Sequence, residues 1–150
     1  MDCYGYMKEA LLLAEEAARH GDVPVGAVIA DDLTGEIIGR GMNAREAQGN
    51  ALLHAETEAI RTACEKRGGW RLSGCTMYVT LEPCLMCAGA IINARIDAVV
   101  FGAFDPKAGA VDSVLRSFSL PLNHHPSFIG GIMESEAGTL LSDFFKAKRQ

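Results

Sequence analysis

The sequence predicts an α/β protein, in which short apolar strands alternate with amphipathic helices around one sheet. Three observations lead there. Apolar, β-rich runs recur at residues 25–30, 76–80 and 98–101. Stretches with helical spacing of apolar residues separate them. The 150 residues are 49% hydrophobic and 22% charged, the composition of one folded domain spanning 1–150 that is large enough to bury its own core.

The first element is a helix over Tyr6 to Ala18, with Met7, Ala10, Leu11, Ala14 and Ala18 on one side and an end near Gly21. Val25 to Ala30 then reads as a strand, Asp31 to Gly35 as a turn and Glu36 to Gly41 as the returning strand of a β-hairpin. A polar loop runs through Asn50. Good helix formers with apolar spacing at Ala55, Ala59, Ile60 and Ala63 predict a second helix from His54 to Lys66, stopped by Gly68 and Gly69.

Thr76 to Thr80 is strand-like, Cys84 to Asn93 is helix-like behind Pro83, and Ala98 to Phe101 is another strand. An irregular Gly- and Pro-containing segment extends to Pro126. A short strand over Phe128 to Met133 and a closing helix over Glu134 to Lys148 complete the chain.

Bulk chemistry narrows the function. The N-terminal residues lack the pattern of a secretory leader, and no apolar stretch is long enough to span a bilayer, so the expected compartment is the cytoplasm, with no membrane partner. Five cysteines, odd in number and unevenly spaced, suit a reducing compartment better than a disulfide framework. A net charge of -5 argues against indiscriminate nucleic-acid binding, so recognition of RNA would have to be local and shape-dependent.

Three side chains carry the chemistry: His54 in His54-Ala55-Glu56, and Cys84 and Cys87 behind Pro83. Two cysteines three residues apart on a first helical turn face one side and can share a metal, and the helix N-terminus favours thiolates. Two thiolates and one imidazole form a zinc site, and three protein ligands leave a fourth position for water, whose pKa zinc can lower to about 7. Glu56 follows His54 by two residues, roughly 200° around an ideal helix, so its long side chain must bend back to serve as the proton carrier.

Alone, C-x-x-C equally suits a redox pair or half of a structural zinc site, and H-x-E is a weaker signal still. Together, in this order and each at a predicted helix start, they favour one catalytic zinc. Cys3, Cys64, Cys75, His20, His124 and His125 remain as sources of a stray fourth ligand, with Cys64 and Cys75 read as packing residues.

These residues complete the H-x-E…P-C-x-x-C pattern and resemble the zinc nucleoside and nucleobase deaminases. More specifically, the chain resembles the bacterial tRNA-specific adenosine deaminases. The likeness runs through Asp22 to Val28, Gly41 to Asn43, Tyr78 to Ala90, Arg95, Ile96, Val99 to Ala103, Asp105, Lys107 and Leu140 to Phe145.

The resemblance implies a three-layer α/β/α sandwich of the cytidine-deaminase-like type, with a mixed five-stranded sheet and zinc held between two helix N-termini. It implies hydrolytic deamination of adenosine to inosine at the wobble position, with an anticodon loop as partner and a homodimer whose second subunit helps shape each site. His54, Cys84 and Cys87 would ligate one Zn²⁺ per subunit, and Glu56 would shuttle protons. Asn43 would hydrogen-bond the nucleoside, Val25 would pack against the base, the backbone near Ala55 and from Glu82 through Pro83 to Cys84 would line the pocket, and Asp105, Lys107, Asn123 and His124 would meet the surrounding RNA. Lys146, Lys148 and Arg149 at the C-terminus either meet phosphates or form a solvated helix end.

Three features depart from the family pattern: Thr57 replaces a larger apolar residue, Val111-Asp112-Ser113 replaces a small-residue segment, and the net charge is more acidic than RNA binding requires. They bear on substrate reach, with Asp112 expected to weaken phosphate approach. Two rivals share the same residues: a deaminase of a free base or nucleoside, of guanine or cytosine type, and a non-catalytic zinc-binding module in which Glu56 only complements a helix dipole.

Overall fold

The computed structural model describes residues 1–149. In chain order the elements are α1 (Cys3–Arg19), β1 (Gly26–Asp31), β2 (Ile37–Met42), α2 (Arg45–Gln48), α3 (Ala55–Arg67), β3 (Cys75–Leu81), α4 (Leu85–Asn93), β4 (Ala98–Ala103), a 3₁₀ turn (Ser117–Ser119), β5 (Ser127–Gly130) and α5 (Glu134–Lys148).

The strands form one mixed sheet in the order β2-β1-β3-β4-β5. The β1 strand pairs antiparallel with β2 and β3, whereas β3–β4 and β4–β5 are parallel. Successive strand residues point to opposite faces, and this alternation divides the core in two. Ala27, Ile29, Met77, Val79, Val99 and Phe101 pack under α3 and α4. Val28, Ala30, Tyr78 and Val100 pack against α1 and α5. The result is the expected α/β/α sandwich.

The central strands are buried on both sides, so β1 and β3 lack the polar–apolar alternation of a half-exposed strand. A close helix–sheet approach lies at β2. A Cβ added to Gly41 would sit 2.1 Å from the Ala55 carbonyl oxygen. Glycine at this position lets the first turn of α3 lie directly on the strand, which fixes where His54 and Glu56 project.

Several boundaries differ from expectation for identifiable reasons. The first helix starts at Cys3, because the Asp2 carboxylate accepts the Gly5 N–H at 2.9 Å and caps it. The β4 strand continues to Ala103, paired with Leu81. The β5 strand stops at Gly130 instead of Met133, because Gly131 (φ +91°) and Met133 (φ +57°) take left-handed backbone to turn into α5. The polar loop before Asn50 contains α2, whose Glu46 and Ala47 N–H groups donate to the carboxylate of distant Asp22 at 2.7 and 3.0 Å.

Candidate active site

His54 is the N-cap of α3 and Cys84 the N-cap of α4, both with extended backbone (φ −87°, ψ 159° and φ −75°, ψ 177°), while Cys87 lies in the first turn of α4. The two helix starts meet at the same end of the sheet. His54 Nδ1 lies 3.6 Å from Cys84 Sγ and 3.4 Å from Cys87 Sγ. Zn–N bonds of about 2.0–2.1 Å and Zn–S bonds of about 2.3 Å at a tetrahedral angle require N···S separations of about 3.5 Å, so the donor set fits zinc. Among the described residues this is the one cluster of three or more His, Cys, Asp or Glu with metal-binding spacing. None of Cys3, Cys64, Cys75, His20, His124 or His125 joins it, which leaves the fourth position open.

The protonation pattern follows from three groups that share one small space. A hydrogen bond from Cys87 and the neighbouring His54 outweigh burial and hold the Cys84 thiol down at about 4. The same shared proton, together with burial, drives the Cys87 thiol far upward. The pair therefore titrates as a unit that keeps one proton, which a metal ion would displace.

Glu56 is 5% exposed, and its side chain shares the cavity with these groups. Burial pushes its carboxyl up to about 7, with the Cys84 charge adding to the rise and hydrogen bonds and His54 opposing it. The expected 200° offset from His54 does not arise, since His54 is a cap in extended conformation and does not share the helical rotation. The cap is closed by Thr57, whose hydroxyl oxygen accepts the His54 N–H at 3.1 Å. That explains this departure: Thr57 orders the helix start that carries the ligand.

A cavity of about 180 Å³ opens over the cluster. It is smaller than a typical drug-sized pocket and matches one heterocycle. Val25, Asn43, Ala55 and Glu82 line it, together with Asp105, which the sequence reading placed against the surrounding RNA. Asn43 is oriented on both sides: its Nδ2 donates to the Val23 carbonyl and its Oδ1 accepts the Arg45 N–H, each at 3.3 Å.

Other expected contacts lie elsewhere. Pro83 is buried away from the lining, its carbonyl accepting the Ala110 N–H at 2.8 Å. Lys107 and Asn123 are exposed outside the cavity. The His124 Nε2–H donates to the Ile96 carbonyl at 2.7 Å and so braces the backbone. Asp112 pairs with Arg116 at 3.0 Å, so its charge is partly compensated within the loop. Arg45, Val23, Leu81 and Ala108 also line the cavity and were missed. Arg45 had a signal, a cation two residues after Asn43, but it fell in a stretch read only as polar loop.

A wider groove of about 680 Å³ runs between α1 and α5 over Leu11, Leu12 and Leu140, and its lining contains none of the candidate ligands. The chemistry therefore sits in the smaller cavity.

Known proteins agree with this geometry. Residues 3–103 match the cytidine and deoxycytidylate deaminase zinc-binding region. The tRNA-specific adenosine deaminase of Bacillus subtilis strain 168 is 46% identical over 146 residues, covering 97% of this chain and 89% of that protein. A structure solved in work on A-to-I editing by tRNA deaminases at the wobble position of transfer RNA superposes with a TM-score of 0.87 at 45% identity, over 91% of this chain and 99% of the other. A guanine deaminase from Bacillus subtilis is more distant, with a TM-score of 0.66 and 32% identity over 99% of this chain and 94% of the other. The chain is a zinc-binding enzyme that belongs to the cytidine and deoxycytidylate deaminase family, in the branch of the tRNA-specific adenosine deaminases.

Proposed function

We propose that residues 1–150 act as one deaminase domain that hydrolyses adenosine to inosine, with release of ammonia, at the wobble position of a tRNA anticodon loop. The observation that carries the proposal is the one-base cavity lined by His54, Glu56 and Cys84, with Cys87 completing the ligand cluster.

In this reading His54, Cys84 and Cys87 hold one zinc ion, which when bound supplies a nucleophile from water at neutral pH. Glu56 takes one proton of the attacking water and places it on ring nitrogen N1, then takes the second proton from the hydroxyl added at C6 and delivers it to the departing amino nitrogen, so that ammonia leaves as the C6 carbonyl forms. Its burial keeps bulk water from competing for that proton. Asn43, held by Val23 and Arg45, orients the nucleoside, and Val25 and Ala55 pack against the base.

RNA contacts are local, consistent with a net charge of -5. Arg45 at the cavity mouth, with Lys107 and Asn123 exposed outside it, meets the sugar–phosphate backbone around a splayed base. A homodimer is supported by α4, which carries no charged residue yet exposes Leu85 (60%) and Gly89 beside half-buried Met86 and Ala90. Leu85→Glu on that face is expected to give monomers in sedimentation. No helix among the described residues is long and apolar enough to cross a membrane. A tRNA substrate and five free cysteines support a cytoplasmic location.

The test is ammonia release by the zinc-loaded protein on an adenosine-containing anticodon stem-loop, compared with free adenosine, guanine and cytidine at matched salt. Turnover confined to the stem-loop is expected. Turnover confined to a free base would move the protein to the small-molecule deaminases, and no turnover on any substrate would favour a zinc-binding module.

A further inference from the structure

Glu82 is buried (2% exposed), yet among the described residues its carboxylate has no cationic partner, and it is not among the groups that the proposed reaction uses. Its two oxygens instead collect five donors from one loop. Oε1 accepts the Asp105 N–H at 3.0 Å and the Ser113 hydroxyl. Oε2 accepts three successive backbone N–H groups, those of Val111, Asp112 and Ser113, at 3.2, 2.8 and 2.9 Å. A carboxylate offers about four lone-pair sites, so these donors saturate it.

The loop is shaped to admit that carboxylate. A Cβ on Gly109 would lie 2.4 Å from both Glu82 Cδ and Oε1, so a side chain there would displace the anchor. The same turn brings the Ala110 N–H to the Pro83 carbonyl and the Gly109 N–H to the Asp105 carbonyl, at 2.8 and 2.9 Å. Asp105 in turn receives the Lys107 and Ala108 N–H groups on Oδ1, at 3.0 and 3.2 Å. Asp105 and Ala108 form part of the cavity wall.

We propose that Glu82 is a positioning residue: its buried carboxylate clamps the segment 105–113 and thereby sets the substrate wall formed by Asp105 and Ala108, independently of metal binding. The clamp starts two residues before Cys84 and so registers that wall against the zinc-bearing helix start. Its kinetic consequence rests on the deaminase reading above, whereas its structural consequence does not.

Glu82→Gln keeps the shape but turns one acceptor into a donor facing N–H groups. With the zinc-loaded full-length protein, three readouts are expected. Zinc content by elemental analysis stays at the parent level. Hydrogen exchange at the amides of Val111, Asp112 and Ser113 accelerates about tenfold or more, while α3 and the central strands keep their protection. KM for the stem-loop rises by about ten- to a hundredfold, the scale of a lost hydrogen bond to a buried charge, with a smaller change in kcat.

Unchanged exchange in 105–113 would overturn the proposal, as would loss of zinc together with protection throughout the molecule. If the Glu82→Gln protein does not fold, Ser113→Ala and Gly109→Ala decide: each is expected to loosen the same amides and raise KM with zinc retained, the second more than the first. Neither effect in either variant refutes the clamp. Should the parent fail to turn over the stem-loop, the functional reading falls, and the exchange data still judge the clamp.

Discussion

The two halves of the active site are built on opposite principles. The metal side is local: His54 and Cys84 cap two helices, Cys87 lies three residues after Cys84, and the ligand atoms lie within 4.8 Å of one another. The substrate side is non-local: the wall at Asp105 and Ala108 depends on Glu82, whose donors lie 23 to 31 residues away in sequence. Regular secondary structure holds the reactive groups, and one buried carboxylate holds an otherwise irregular loop. Chemistry and substrate selection thus depend on separate parts of the chain, and substitutions should separate them.

The largest effect is expected on the metal side. Cys87→Ala removes a buried ligand, so zinc by elemental analysis and deamination should both fall to background. Full zinc occupancy in this variant would refute the ligand assignment. Thr57→Ala loses the cap on His54 and is expected to cost about 1 kcal/mol, lowering the thermal midpoint by roughly 2–4 °C with zinc still bound. An unchanged midpoint would show that Thr57 does not order the helix start.

The smallest effect is expected on the outer surface of the substrate loop. Arg116 is 73% exposed beside Asp112. Exposed pairs of this kind contribute about 0–1 kcal/mol, so Arg116→Ala should leave stability nearly unchanged in urea melts. A loss of several kcal/mol would mean that the loop is held by its surface charges rather than by the buried Glu82.

This contrast also explains what the sequence reveals. The metal side is legible because His54-x-Glu56 and Pro83-Cys84-x-x-Cys87 occur together, in this order and each at a helix start, and the family pattern around them runs through most of the chain. The fold is legible for the same reason, since apolar runs and helical periodicity are local signals. Boundaries fail where the determinant is distant or conformational. The α2 helix depends on Asp22, more than twenty residues earlier, and the end of β5 depends on left-handed backbone at Gly131 and Met133.

Glu82 shows the limit most clearly. Its neighbours Pro83 and Cys84 mark it as part of the site, and the sequence reading gives only its backbone a place in the pocket lining. It does line the cavity, but its carboxylate is committed to the loop. Arg45 reaches the same cavity from a stretch read only as polar loop, and Ala108 from an irregular one. Asp112 is a related case: read alone it is an added negative charge, yet in the fold its N–H serves Glu82 and its carboxylate faces Arg116.

The most direct test of the central claim is inosine formation in an anticodon stem-loop by Glu56→Ala, measured beside zinc content. The account predicts full zinc occupancy and a loss of rate of about 10²–10⁴-fold, the contribution of a positioned general acid–base. Deamination at the parent rate by the zinc-loaded variant would contradict it, because the buried carboxylate in the cavity would then not be the proton carrier.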